Sequence, residues 1–361
     1  MLQIFTDART LILFILTFTV IVAVHEFGHF LTARLLGMRV LEFAFGFPPR
    51  VASIVRGGVQ YSINAIPVGG FVRILGQDDF AIKQQGEGDP DSFTAKPWWA
   101  QAVVLVAGVV MNFILALVVL TAAFALGSAA PTGQVRVIDV KADSPAYAAG
   151  IRSGDIVQSV DGRPVKSSQD LVAYTQSHRG DTITLRILRN GRPMPPVTAV
   201  PRAEPPAGEG PLGIVLEDVT APTTGGLPQA AANAWGLTSD IVTQIAQLPG
   251  QLISGQNAGG AGAPQIGGPI EIYRVTAQVS QFGVAAVLRL IGVLSINLAI
   301  LNIIPFPALD GGRLLFVLIG GIFRRRLSPQ VEAGIHAVGM VLLLALLVAV
   351  SISDLRRAFG G

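Results

Sequence analysis

Four long apolar stretches dominate the hydropathy pattern of the chain, at about residues 11–36, 98–126, 284–304 and 335–352. Each is close to the ~20 residues that an α-helix needs to cross the hydrocarbon of a bilayer. The first lies where a secretory signal peptide would stand. No small-residue cleavage site follows it, and it continues through polar and charged residues to Arg34, so it is expected to remain as a membrane helix.

The intervening patterns are different. Residues 134–140 alternate like a strand, and SPAYAAGIRSGD at 144–155 predicts a short helix followed by a glycine turn. A second strand at 156–160 ends at Asp161-Gly162, a capped helix covers about 168–177, and an alternating strand at 182–189 leads into an Asn190-Gly191 hairpin turn. Together these predict a small α+β unit of roughly a hundred residues or fewer. Beyond it, Ala234, Leu237, Ile241, Ile245 and Leu248 recur at helical spacing with Trp235 alongside. This helix suits either the membrane interface or the flank of the α+β unit. Residues 255–268, rich in Gly, Ala and Pro, read as a flexible connector. Between the first two apolar stretches, 40–47 and 59–66 flank Gly57-Gly58 as a β-hairpin that is unusually apolar for an aqueous loop. It is expected to dip into the membrane, where protein or a water-filled cavity must satisfy its backbone.

Composition sharpens this picture. Hydrophobic residues make up 51% of the 361 and charged residues only 14%, against ~25% charged in an ordinary soluble domain. That excludes an ordinary cytosolic enzyme. Cysteine is absent, which removes disulfides, thiolate metal sites and thiol nucleophiles, so any metal must use His, Asp or Glu. The net charge of +3 is read as membrane orientation, with no nucleic-acid partner. Arg34, Arg39, Arg50, Arg56, Arg73, Lys83 and Lys96 lie between the first two spans, and Arg313, Arg324, Arg325 and Arg326 between the last two. The positive-inside rule places both connections in the cytoplasm, with residues 127–283 and both termini outside. Spans one and three then run in the same direction, so their C-terminal portions lie at similar depth.

That depth matters for chemistry. His25-Glu26-Phe27-Gly28-His29 puts two imidazoles at i and i+4 on one helical face, a spacing suited to tetrahedral zinc with the carboxylate left free as a base. Ionisable groups inside a membrane helix are costly and are usually functional. A third ligand is needed, and Asp310 in Asn302-Ile303-Ile304-Pro305-Phe306-Pro307-Ala308-Leu309-Asp310-Gly311-Gly312 is the leading candidate. The prolines break the helix there and the glycines permit sharp turns. Asp310 also suits a cap for the short apolar helix at 314–323. His336 in the fourth stretch is a rival ligand, and His178 falls in the α+β unit on the other side.

The chain resembles the site-2 protease family of intramembrane metalloproteases, specifically a bacterial RseP-like member with a single PDZ domain. The resemblance rests on HEFGH; on Pro67-Val68-Gly69-Gly70-Phe71-Val72-Arg73 in the hairpin loop; on the GxxxN of Gly108 to Asn112; on SPAxxAGIxxGDxIxxVDG; and on NIIPFPALDGG. Phe71 and Arg73 stand where Tyr and Lys are commoner. Leu212-Gly213-Ile214 is similar to the carboxylate-binding loop of PDZ domains.

The resemblance implies a polytopic α-helical membrane protein of about four transmembrane helices, with a membrane-associated β-hairpin and an inserted α+β PDZ domain. The partition is 1–37 for the first membrane helix with HEFGH, 38–97 for the cytoplasmic loop, 98–127 for the second helix and 132–217 for the PDZ domain. Residues 218–283 hold the amphipathic helix and connector, 284–323 the third helix with the Asp310 motif, and 331–353 the fourth. The implied site is one zinc ion on His25, His29 and Asp310, with Glu26 as general base. Substrate contacts are expected from Gly69 and Gly70, which can add an unwound peptide as a strand, from Asn297 or Asn302, and from Leu212, Gly213 and Ile214. The implied substrates are single-span membrane proteins already cut by another protease, such as anti-sigma factors and remnant signal peptides. The implied location is the bacterial inner membrane, with the site toward the cytoplasm and the PDZ domain and both termini outside. A non-proteolytic PDZ-containing adaptor is the main rival. A metal transporter is a weaker one, because the outer half of the first helix, 11–24, offers almost no polar path.

Overall fold

Among the described residues, helices long and apolar enough to cross a membrane occur four times: Ala8–Leu35 (α1), Trp98–Ala125 (α2), Val284–Ile303 (α7) and Val331–Arg356 within α9, Pro329–Phe359. The computed structural model describes residues 8–77, 89–206, 209–222, 225–253, 268–323 and 329–359. The chain divides into two units. One comprises 1–126, 227–242 and 266–361, the other 127–226 and 243–265.

In the first, helical unit, α2 is the most enclosed span, and α1, α7 and α8 (Asp310–Phe323) all pack on it. Small residues make that close approach possible. A Cβ at Gly28 of α1 would overlap the Ala107 carbonyl of α2, and one at Gly292 of α7 would overlap the Leu120 side chain. Helix α1 stops at a Schellman turn, with Gly37 left-handed, its N–H on the Arg34 carbonyl and the Met38 N–H on the Ala33 carbonyl.

The expected hairpin is larger than the sequence indicated. Strand β1 runs Val40–Arg56 and β2 runs Val59–Ile74, and each folds back on itself. Residues 40–45 pair with 70–74 on one side and 60–63 on the other, while 59–64 also pair with 50–56. Two long strands therefore make a sheet four segments wide. Glu42 is buried within it, held by Arg50 at 2.9 Å, Arg73 at 3.2 Å and the Ser62 hydroxyl. Val40, Phe43, Val72 and Ile74 join Ala33, Val104 and Leu105 in one apolar cluster, which fastens the sheet to α1 and α2. The far part leaves Val51, Ile54, Val55, Ile63 and Ile66 exposed.

Helix α6, Pro269–Ser280, was not foreseen. Its N-terminus is capped by a residue distant in sequence: the Asp354 carboxylate of α9 accepts from Gly268 N–H at 2.9 Å and Glu271 N–H at 3.2 Å. The connector read at 255–268 lies outside the described residues except for Gly268. In α5, Gly226–Ile253, the buried stripe is Ala230, Ala234 and Thr238, and Trp235 is exposed.

The second unit carries a sheet in the order β7-β6-β4-β3-β9, with β5 on β4 and β8 on β6. Its principal strands are β3 (Ala129–Val140), β4 (Ile156–Val160), β6 (Ile183–Arg189) and β9 (Ile214–Pro222). Arg192–Pro193 forms β7, Arg163–Pro164 β5 and Val197–Ala199 β8, and the helices are α3 (Pro145–Ala148) and α4 (Ser168–Ser177). Inward residues at alternate strand positions, Val135, Val137, Ile183, Leu185 and Ile187, form the core with Ile151 and Leu171. Helix α4 begins with a reciprocal capping box between Ser167 and Asp170.

Candidate metal centre

One helical turn separates His25 from His29 on α1, and both rings are buried, at 6% and 4% exposure. Their Nε2 atoms lie 3.2 Å apart, and one oxygen of Asp310 stands 3.0 Å from the first and 3.2 Å from the second. Among the described residues, these three form a group able to hold a metal ion. Tetrahedral zinc with bonds of ~2.0–2.2 Å separates its donor atoms by roughly 3.3 Å, so the triangle has the size of one face of that polyhedron.

Second contacts support the same reading. His29 donates from Nδ1 to the Val104 carbonyl at 2.8 Å, which fixes the ring and turns its Nε2 lone pair toward the other donors. The Asn112 amide stands 3.4 Å from His25 Nδ1, and the Asn112 carbonyl accepts from Ser295 Oγ at 3.0 Å. Gly108, one turn before Asn112, would drive a Cβ into both imidazoles. The two ends of the GxxxN motif thus shape the chamber around HEFGH.

Asp310 reaches this chamber because the chain breaks between α7 and α8. Pro305 and Pro307 cannot continue the helix, and Ala308 takes a left-handed conformation at φ 80°. Gly311 and Gly312 then pass so close to the Ile303, Ile304 and Phe306 carbonyls that side chains there would overlap them. The turn folds tightly back, and Asp310 becomes the first residue of α8.

Glu26 is half-buried beside His25 and contributes none of the three donor atoms. Its carboxylate accepts the Val72 N–H of β2 at 3.1 Å. Further back along α1, Thr19 donates to the Pro67 carbonyl at 3.2 Å, so residues 67–72 run beside the helix that carries the histidines. Gly69 and Gly70 lie in that segment. A Cβ on Gly69, which has φ 87°, would overlap the Phe47 ring, and one on Gly70 would overlap the Ala44 carbonyl.

The remaining predicted residues lie elsewhere. Asn297 and Asn302 are half-buried on α7, and neither side chain has a hydrogen-bond partner among the described residues. In the second unit, Leu212 is part of the core, Gly213 is left-handed and donates to the Gly210 carbonyl at 2.9 Å, and Ile214 begins β9 opposite Val140. His336 is not with the three donors; its Nδ1 accepts the Ala308 N–H. His178 stacks on Tyr174 at 4.1 Å.

The profile of peptidase family M50 matches residues 13–346. The chain belongs to peptidase family M50. Its members are the site-2 proteases, and it is 30% identical over 367 residues to a protein of Agrobacterium fabrum named as a zinc metalloprotease, covering 96% of each chain. It is 28% identical to the regulator of sigma-W protease RasP of Bacillus subtilis, covering 97% of this chain and 99% of that one. Among solved structures, the PDZ domain of an SdrC-like protein from Listeria monocytogenes matches 23% of this chain and 85% of its own at 31% identity, with a TM-score of 0.21. As an M50 peptidase this protein is a zinc metalloendopeptidase of the site-2 type, a bacterial membrane protein that cuts membrane proteins within the bilayer. Catalysis sets aside the adaptor reading.

The sequence did not reveal the backbone groups that hold the site, Val104 C=O and Val72 N–H, because backbone groups carry no side-chain signature. Asn112 was visible only as a motif member.

Proposed function

We propose that His25, His29 and Asp310 hold the catalytic zinc and that Glu26 is the general base of the M50 reaction in this chain. The observation that carries this is the convergence of three donor atoms from two distant segments, at mutual distances of 3.0 to 3.2 Å. Zinc on these ligands supplies a Lewis acid and a water acidified toward neutral pH. Glu26 lies outside the ligand set, as a base must. Its carboxylate takes the proton of the attacking water and passes it to the departing amide nitrogen. The Val72 N–H orients that carboxylate.

A transmembrane substrate hides its peptide bonds in helical hydrogen bonds, so it must unwind before attack. The segment around Gly69 and Gly70, running beside the histidine helix, is suited to receive the unwound stretch as an added strand. The half-buried amides of Asn297 and Asn302 offer partners for its freed backbone groups. The exposed apolar residues at the far part of the sheet support its immersion in lipid. By the distribution of Lys and Arg, the centre faces the cytoplasm and the second unit lies outside. There the second unit, with its PDZ-like Leu212-Gly213-Ile214 loop, acts as a filter. The substrates are single-span proteins shortened by an earlier protease, anti-sigma factors and remnant signal peptides among them.

The test is metal analysis and cleavage with purified full-length variants. Glu26→Gln should keep one zinc per chain and lose at least a thousandfold in cleavage. His25→Ala, His29→Ala and Asp310→Ala should lose both, as should the wild type after chelation, with zinc restoring only the last. Full zinc in Asp310→Ala refutes the third ligand.

A further inference from the structure

Helix α9 supplies none of the three donor atoms, yet it grips the turn that delivers one of them. His336 is 4% exposed, and its Nδ1 accepts the Ala308 N–H at 2.9 Å. Its ring meets Phe316 of α8 at right angles, with centroids 5.5 Å apart. One turn along the same helix face, Gly339 has no room for a Cβ, which would overlap Pro307. His336 and Gly339 therefore seat the Pro307-Ala308 turn together, one through a hydrogen bond and the other through close contact.

Ala308 needs that support. Its φ of 80° is a conformation that side chains with a Cβ resist and that persists only when the surroundings over-determine it. Ala308 is half-buried between the membrane-capable helices α7 and α9, where an unpaired donor is costly. Two residues later comes Asp310, whose oxygen must stand within a few tenths of an ångström of its place to complete the triangle with His25 and His29.

We propose that His336 is a positioning residue of the metal centre: by accepting the Ala308 N–H it fixes the left-handed turn that sets the Asp310 carboxylate against His25 and His29. The inference rests on Asp310 being the third zinc ligand. It differs from a ligand role for His336 itself, and also from a role of simple bulk between α8 and α9.

Two replacements separate these roles. Asparagine carries an oxygen at the same number of bonds from Cα as Nδ1 but lacks the ring's bulk, whereas phenylalanine keeps the bulk and lacks the acceptor. The experiment measures zinc dissociation constants by competition with a chelator, together with kcat and KM, on monodisperse full-length protein. His336→Phe should weaken zinc binding at least tenfold and lower kcat at least tenfold with KM within twofold, while His336→Asn should stay within threefold of wild type on all three. Ala308→Gly added to His336→Phe should recover at least threefold of the lost zinc affinity, because glycine takes the left-handed turn without resistance. Equal losses in the Phe and Asn variants overturn the proposal in favour of packing, and wild-type zinc affinity in His336→Phe, or no recovery with Ala308→Gly, overturns it outright. Asp310→Ala in the same assay distinguishes the two levels: loss of zinc there with none in His336→Phe defeats this inference alone. Retention of zinc in Asp310→Ala defeats the ligand assignment as well.

Discussion

At Gly108 a hydrogen stands where any other residue would place carbon against both imidazoles of the centre. Overpacking of this kind usually costs about 1–3 kcal/mol, and here the strain falls on the two proposed ligands. Gly108→Ala should therefore lower cleavage at least tenfold and speed zinc loss to a chelator. Val110→Ala, on the exposed side of the same helix, should do neither, and stopped-flow metal release compares the two. Unchanged zinc release in Gly108→Ala would show that the rings have room to yield. The two histidines were legible in the sequence because paired imidazoles in an apolar helix have few structural explanations. Asp310 was legible only through topology and resemblance, since an aspartate before two glycines is as readily a helix cap. His336 was noticed only as a rival ligand; its place in the fold makes it the acceptor for the left-handed turn at Ala308.

The elements differ in how far local pattern determined them. In the second unit, strands with one face inward alternate visibly, and β6 and α4 fall where the alternation and the caps put them. In β1 both faces are apolar from Phe43 to Phe47, and in β2 the alternation of 59–65 stops at Ile66-Pro67, so alternation could not show where each strand folds back. Helix α6 was missed because its capping carboxylate, Asp354, lies on a helix 86 residues beyond Gly268. The second unit also holds a fully buried carboxylate, Asp155, gripped by Arg189 through two contacts of 2.8 Å. These hydrogen bonds hold the Arg189 guanidinium above the ordinary arginine value. Removing one partner of a buried pair costs about 3–5 kcal/mol, and the 32% exposure of Arg189 favours the lower end. Arg189→Ala should accelerate hydrogen exchange of the most protected β4 and β6 amides by about a hundredfold, while Arg186→Ala, exposed on the same strand, leaves them unchanged. Equal protection in both variants would mean that Asp155 finds another partner.

For the whole molecule the governing asymmetry is charge. Positive residues gather in the two connections that the proposed topology assigns to the cytoplasm, and the chain has no cysteine, so single introduced thiols report sidedness without background. A cysteine at Pro90, exposed in the loop before α2, should be shielded from an impermeant reagent in cells whose inner membrane is intact. One at Lys166, before α4, should react. Labelling of the first and protection of the second would invert the orientation and reverse the placement of the filter. The chain order of the metal centre has a further consequence, for biosynthesis. Its first histidine and its aspartate are separated by 285 residues. At translation rates of ~5–20 residues per second, roughly 15 to 60 seconds pass between their synthesis. On the proposed ligand set, the nascent chain has no complete site during that interval. Ribosome-stalled chains ending before Asp310 should accordingly bind no zinc, whereas a chain released after α9 should bind one ion.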